Sequence, residues 1–310
     1  MRIVSLLPSA TEIVFALGLG DELVGRTHEC DYPPEAASVP VVTADAGLTT
    51  GASREIHERV VSSLHGGSSI YRLDRVALRD ARPDLILTQE LCEVCAVSYQ
   101  EVGRAVRALR SEATVISLEP HSIEGILNTI STVGAMAEAE DEAVGLIEML
   151  RERLAEIENR VLERRLAGAE PRRVVCLEWL DPPFAAGHWV PEQVRRAGGW
   201  ELLGRAEERS TQTTWEQVRE VDPEQLLLMP CGFEADRAAE EWAAADKPSW
   251  LRELRAVESG EVYALDGSAY FSRPGPRVVE GVALLAEVMD PAGVELGAPT
   301  DAWLPLGVGA

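Results

Sequence analysis

The sequence predicts an α/β chain of two lobes, each built on a parallel sheet, joined by a single long backbone helix. Three observations carry this. Short apolar runs alternate with amphipathic helical patterns on both sides of the middle of the chain, the signature of parallel α/β architecture. A charged stretch of helical period, from Ile123 to about Leu166, separates the two halves. The length of 310 residues suits two domains of ordinary size.

Residues 3–7 read as a buried strand. In the following Pro8-Ser9-Ala10-Thr11-Glu12, Ser9 is placed to cap a helix, with Glu12 completing a capping box. That helix closes at Gly18-Leu19-Gly20, and residues 23–25 form a second strand. Residues 53–64 have helical spacing at Ile56, Val60, Val61 and Leu64. A helix holding Val76, Leu78 and Ala81 precedes a third strand at 84–88, and a fourth lies at 114–118. The central stretch turns continuously helical. Its second part, 138–166, carries Ala143, Leu146, Ile147, Leu150, Leu154, Ile157 and Val161 on one face. At 1.5 Å per residue these roughly 29 residues span about 43 Å, a stiff spine longer than one small domain. Gly168-Ala169-Glu170-Pro171 ends it. Strands resume at 174–177, 225–229 and 262–265, and a helix covers 276–289. The expected boundaries are an N-terminal lobe over 1–132, a spine helix over 133–167, a C-terminal lobe over 168–295 and an irregular Gly- and Pro-rich tail over 296–310.

Acidic side chains number 52 against 29 basic ones, a formal charge of −23. Such an acidic balance argues against nucleic acid or anionic lipid, both of which require a basic face, so neither is an expected partner. No run of eighteen apolar residues is present, so no membrane insertion is expected. Met1-Arg2 runs straight into the first strand without the charged and apolar regions of an export signal, so the expected location is the cytoplasm. A leader removed upstream would instead place the protein outside it. The five cysteines form an odd set, which fits reduced thiols or metal ligands better than disulfides.

In open parallel sheets, ligands collect beyond the carboxyl ends of the strands. Pro8-Ser9, Arg26 to Pro34 and Gln89 to Cys95 occupy those positions in the first half. In the second half they are Trp179 to Phe184, Pro230-Cys231-Gly232-Phe233 and Asp266 to Phe271. Two such rims facing each other across a spine would form one cleft.

The motifs on these rims resemble a known family. Pro8-Ser9-Ala10-Thr11-Glu12, Val24-Gly25 through Asp31-Tyr32-Pro33-Pro34 and Arg82-Pro83-Asp84-Leu85-Ile86 look like the N-lobe pattern of helical-backbone (class III) periplasmic binding proteins. Asp181-Pro182-Pro183-Phe184, Gly198-Gly199-Trp200, Trp215-Glu216-Gln217-Val218 and Arg273-Pro274-Gly275-Pro276-Arg277 add the C-lobe pattern. The resemblance covers about residues 1–290 and is greatest to the cobalamin-binding branch that serves ABC transporters. It implies two Rossmann-like lobes with a ligand cleft between them, and a corrinoid, iron chelate or haem as ligand. The sequence departs from that pattern in an insertion over 43–71 and in its rim cysteines.

Aromatic residues make up only 5% of the chain, so their recurrence after strands is informative. Trp179, Phe184, Trp189, Tyr270 and Phe271, with Pro8, are the residues expected against a large planar ligand. Arg26, His28, His188 and Arg273 are expected at its polar side chains. For each residue the competing reading is ordinary packing or capping. Cys30, Cys92, Cys95 and Cys231 fall after strands, where thiolates could hold zinc, a softer metal or an iron–sulfur cluster; the competing reading is buried small hydrophobes. No nucleophile elbow, phosphate loop or dinucleotide fingerprint is present, so reversible binding is expected and an enzyme is not. The expected protein partner is a transporter permease or, for a cytoplasmic protein, a corrinoid enzyme.

Overall fold

The computed structural model describes residues 1–45, 51–65, 71–89, 99–109 and 112–307. They fall into two compact units: Met1–Gly51, Glu55–Pro120 and Glu124–Met149 in the first, and Ala52–Arg54, His121–Ile123 and Leu150–Ala310 in the second.

In chain order the first unit holds β1 (Ile3–Ser5), α1 (Pro8–Ala16), β2 (Leu23–Gly25), β3 (Thr43–Asp45), α2 (Ser53–His65), β4 (Tyr71–Leu73), α3 (Arg75–Ala81), β5 (Leu85–Thr88), α4 (Tyr99–Leu109), β6 (Thr114–Ser117) and α5 (Ile123–Met136). Helix α6 (Glu140–Leu166) begins in this unit and ends in the second. The main sheet has the order β2-β1-β5-β6, all parallel. Ile3, Val4, Ile86 and Leu87 are fully buried, because a parallel sheet covered on both faces needs continuous apolar strands. β3 and β4, at the two ends of the expected insertion, pair antiparallel.

Two local expectations change. Ser9 is not the cap of α1: Leu7 holds that position in extended backbone, Pro8 takes the first turn, and no side chain caps the helix. Proline's fixed φ and missing N–H suit the first helical position, which displaces Ser9 into the helix. The central helical stretch is also two helices. It breaks at Ala137-Glu138-Ala139, where Glu138 has φ 57° and Ala139 donates to the Gly134 carbonyl. Gly134 is needed there. A Cβ on it would lie 2.5 Å from the Ala143 Cβ and 2.9 Å from the Ala139 oxygen.

The second unit holds β7 (Arg172–Leu180), β8 (Pro183–Ala185), α7 (Val190–Arg196), β9 (Gly199–Glu201), β10 (Thr211–Gln212), α8 (Trp215–Val221), β11 (Gln225–Leu228), α9 (Ala235–Ala244), α10 (Arg255–Glu258), β12 (Val262–Leu265), α11 (Gly267–Tyr270), α12 (Val278–Met289) and β13 (Trp303–Leu306). Its sheet runs β10-β8-β7-β11-β12-β13, with β9 also on β7. The β7–β11, β11–β12 and β7–β9 pairs are parallel, while β8, β10 and β13 join antiparallel. The sheet is therefore mixed. β7 runs longer than its apolar core suggests and turns back through Asp181-Pro182 into β8. The expected irregular tail contains β13, which pairs with β12 from Val262↔Leu306 to Leu265↔Trp303. Pro305 is tolerated because β13 is an edge strand.

Val175, Leu177, Leu226, Leu228 and Ala264 form the core of this unit with Trp215 and Trp242, whose rings meet edge-on at 6.0 Å. Helix α8 has a true capping box between Thr214 and Gln217. The C-terminal part of α6 buries Leu150, Leu154 and Ile157. It is tied to α12 by a two-point ion pair, Arg153 Nε and Nη2 donating to Glu280 at 3.0 and 3.1 Å. No helix among the described residues is long and apolar enough to cross a membrane.

Candidate functional site

The strand-end loops of each unit carry the candidate residues. In the first unit, Pro8 is partly buried at the start of α1. Arg26, expected at a polar ligand group, is instead spent on its own loop. Its Nε donates to the Val39 carbonyl at 3.1 Å, Nη1 to those of Thr27 and Cys30 at 3.0 Å each, and Nη2 to that of Ala37 at 3.3 Å. A loop between a strand and a short turn leaves carbonyls without ladder partners, and a guanidinium satisfies them. His28 is positioned by Thr43, whose Oγ1 lies 2.8 Å from Nδ1 and accepts the His28 backbone N–H. Its Nε2 is 3.4 Å from the Glu29 carboxylate.

Cys30 is 1% exposed, and the Thr11 hydroxyl donates to its sulfur at 3.0 Å. Thr27 Oγ1 is 3.2 Å from the same sulfur. Cys92 and Cys95 lie outside the described residues. Cys231 belongs to the second unit, partly exposed, with its N–H on the Glu178 carbonyl. Among the described residues no group of three or more His, Cys, Asp or Glu side chains is arranged to hold a metal ion.

The second unit brings most of its expected residues to one rim, in two different roles. Trp179 on β7 and Phe184 on β8 face each other across the hairpin, both partly buried. The Trp179 ring lies 5.5 Å from that of Phe233, over which the Arg237 guanidinium sits at 3.7 Å. The Trp179 indole nitrogen is buried and has no hydrogen-bond partner among the described residues. An orphaned buried donor is costly, and in a binding site it is commonly matched by the ligand.

Trp189 and Phe271 are not walls of a pocket. They are 4% and 3% exposed, and the Trp189 indole donates to the Phe271 carbonyl at 3.0 Å. A buried indole finds a backbone acceptor where one is in reach, and here the bond fixes the loop after α11. Gln193 adds bonds to the Tyr270 and Val278 carbonyls at 3.1 and 2.9 Å. Tyr270, the last residue of α11, and Arg273 on that loop stay partly exposed, with the Arg277 guanidinium 5.8 Å from the Tyr270 ring.

His188 sits in left-handed backbone, φ 53°. Its N–H donates to the Glu208 carbonyl at 2.6 Å, and its own carbonyl accepts from Glu207 at 2.8 Å. Burial, then the charges of His121 and Arg209, lower its pKa to about 4. It is a neutral imidazole at physiological pH. Below it, burial raises the Glu178 carboxyl to about 7, against hydrogen bonds from Ser210 and the Gly187 N–H. Glu201 is raised to about 7 for the same reason, against the N–H groups of Cys176, Gly204 and Leu203.

Sequence reasoning did not single out Glu178 or His121. Glu178 was one acidic residue among 52, and only its burial on β7 distinguishes it. His121 follows β6 through Leu118-Glu119-Pro120, so the strand-end rule applied to that strand would have found it.

The aromatic rim at the strand ends of the second unit is a surface suited to a small-molecule ligand. The chain belongs to the periplasmic binding protein family, whose profile matches residues 3–269. It is similar to an ABC transporter substrate-binding lipoprotein of Bacillus subtilis, 26% identical over 94% of this chain and 80% of the relative. It is equally similar to the vitamin B12-binding protein of Vibrio cholerae, 26% identical over 91% of this chain and 86% of the relative. Among solved structures, the periplasmic vitamin B12-binding protein of Vibrio cholerae superimposes with a TM-score of 0.65, at 24% identity, over 94% of this chain and 97% of that one. A periplasmic heme-binding protein from Pseudomonas aeruginosa does so with a TM-score of 0.70, at 19% identity, over 94% and 93%. At these identities the two structures speak for the fold alone.

The expected cytoplasmic location is corrected by these findings. The family is periplasmic, and the relatives are a lipoprotein and vitamin B12-binding proteins, which points outside the cytoplasm. A leader or lipid anchor is no part of the folded lobes, so the run from Met1 into β1 carries no weight on location. The cytoplasmic corrinoid enzyme falls as a partner with it.

Proposed function

We propose that this chain is the substrate-binding component of an ABC uptake system and reversibly binds a corrinoid, making and breaking no covalent bond. The observation that carries the reading is the Trp179–Phe184 aromatic pair with its unpartnered indole N–H. Flat apolar side chains suit the faces and edges of a macrocycle, and a neutral donor suits the amide carbonyls around a corrin. Tyr270, at the end of α11, and Arg273, just beyond it, are the further proposed contacts. The similarity to vitamin B12-binding proteins along nearly the whole chain supports this ligand over other metal chelates. Delivery to a permease outside the cytoplasm is part of this reading, and the similarity to an ABC transporter substrate-binding lipoprotein supports it.

Calorimetric titration with cyanocobalamin, cobinamide, haemin and a ferric hydroxamate tests it. The expected result is saturable binding of at least one corrinoid. No heat with either corrinoid at about 100 μM, where Kd corresponds to roughly −5.5 kcal/mol, overturns the reading. Binding of haemin or the hydroxamate in that case would assign the chain to another ligand of the same family.

A further inference from the structure

Apart from the aromatic set, two imidazoles meet on the rim of the second unit. His121 and His188 both belong to that unit, and their ring centroids are 5.7 Å apart with planes tilted by 37°. The backbone around His188 is built to hold one conformation. A left-handed φ is uncommon for a residue other than glycine and concentrates at functional sites. Bonds to Glu207 and Glu208 fix it from both sides, and neighbouring Gly187 approaches so closely that a Cβ there would fall 2.5 Å from the Glu208 oxygen and the Ser210 nitrogen.

The Nδ1 atom of His188 is buried and has no hydrogen-bond partner among the described residues. A transition-metal ion binds imidazole nitrogen at about 2.0–2.1 Å. Two imidazoles on one such ion place their centroids about 5 Å apart at a tetrahedral angle and about 6.4 Å apart when opposite. The observed separation lies between these limits. The ring is also neutral, as a ligand must be.

We propose that His121 and His188 form a binding site for a divalent transition-metal ion of the kind imidazole prefers: nickel, copper, zinc or cobalt. Magnesium and calcium are excluded by their preference for oxygen ligands. With no set of three protein ligands among the described residues, the ion keeps open positions for water or an external ligand. The site is thus exchangeable and distinct from a structural zinc centre. It does not depend on the corrinoid reading.

The full chain would be titrated with Ni²⁺ calorimetrically at pH 7.5 and with Co²⁺ by absorption, beside the variants His121→Ala, His188→Asn, His57→Ala and Cys231→Ser. Asparagine tolerates left-handed backbone, and His121 is exposed, so both site variants are expected to keep the parent circular dichroism. The expected result is one Ni²⁺ whose affinity falls at least tenfold in each site variant and is unchanged in the two controls. The cobalt spectrum should show weak d–d bands without thiolate charge transfer. A thiolate band, or Ni²⁺ affinity unchanged in folded His121→Ala, overturns the proposal. If His188→Asn does not fold, His121→Ala and the cobalt spectrum decide alone.

Discussion

The Glu178 carboxylate accepts the backbone N–H of Gly187 and so ties β7 to the turn that presents His188. Burial raises this carboxyl from an ordinary 4.5 to about 7. The folded state therefore holds its proton more tightly than the unfolded chain between those values. Its contribution to stability is complete below about pH 4.5 and is lost as pH rises through about 7. Glu201 adds a second contribution of the same sign. His188, lowered from 6.5 to about 4, acts oppositely: its contribution is present above 6.5 and lost as pH falls through about 4. Thermal melts from pH 4.5 to 6.5 are expected to show stability falling with pH by the worth of about one group net. Glu178→Gln should remove most of that decline, and His188→Asn should steepen it. Taken alone, each carboxyl corresponds to roughly 3 kcal/mol. Parallel pH profiles for the parent and Glu178→Gln would exclude this role.

The two indoles on the same rim should separate cleanly. Trp189→Ala empties core volume and removes the bond to Phe271, so it should cost about 3–5 kcal/mol in urea unfolding. Trp179→Phe keeps an aromatic ring beside Phe233 and removes the orphaned donor with part of the ring, so the stability loss should be well below that of Trp189→Ala. Ligand affinity should fall by roughly 1 kcal/mol or more. Equal affinities in parent and Trp179→Phe would return Trp179 to a packing role.

Arg26→Met should release four carbonyls of the loop after β2. A loss of about 2 kcal/mol is expected from several bonds worth roughly 0.5–1.5 kcal/mol each, partly replaced by water. Ligand affinity per folded molecule should stay near the parent value. A tenfold loss of affinity with stability unchanged would restore the arginine to the binding site.

Gly134→Ala should force α5 and α6 apart at their junction, because its Cβ meets the Ala143 Cβ and the Ala139 carbonyl. Overpacking of this kind costs about 1–3 kcal/mol. Denaturant midpoints for Gly134→Ala and for Gly134→Ala with Ala143→Gly would show the cost and its relief. No relief in the double variant would place the strain elsewhere.

The strands of both sheet centres were legible because a strand covered on both faces must be mostly apolar, and β5, β11 and β12, buried at every residue, are. What stayed hidden has local reasons. β13 reads Trp-Leu-Pro-Leu in Gly- and Pro-rich surroundings, and only its pairing with β12 makes it a strand. The break between α5 and α6 falls on Ala137-Glu138-Ala139, all helix-compatible residues, and the tight approach at Gly134, where a Cβ would meet Ala143, is not visible in the local pattern. The strand-end rule placed Trp179 and Trp189 on one rim equally well. Which of them is core depends on whether the indole finds a carbonyl, and that requires the loop after α11 to be in place. Arg26 was misread for a similar reason, since its acceptors come from its own loop, up to thirteen residues away.

The pairing of β13 with β12 has a bearing on how the chain behaves in company. Residues 303–306 occupy a border of the second sheet that would otherwise offer β12 as a row of open N–H and C=O groups to any passing strand. Pro305 then denies that new border a donor midway along its length. Cutting the chain before Trp303 should therefore promote edge-to-edge self-association, with the Tyr263 ring uncovered on the side where Trp303 now lies 5.7 Å away.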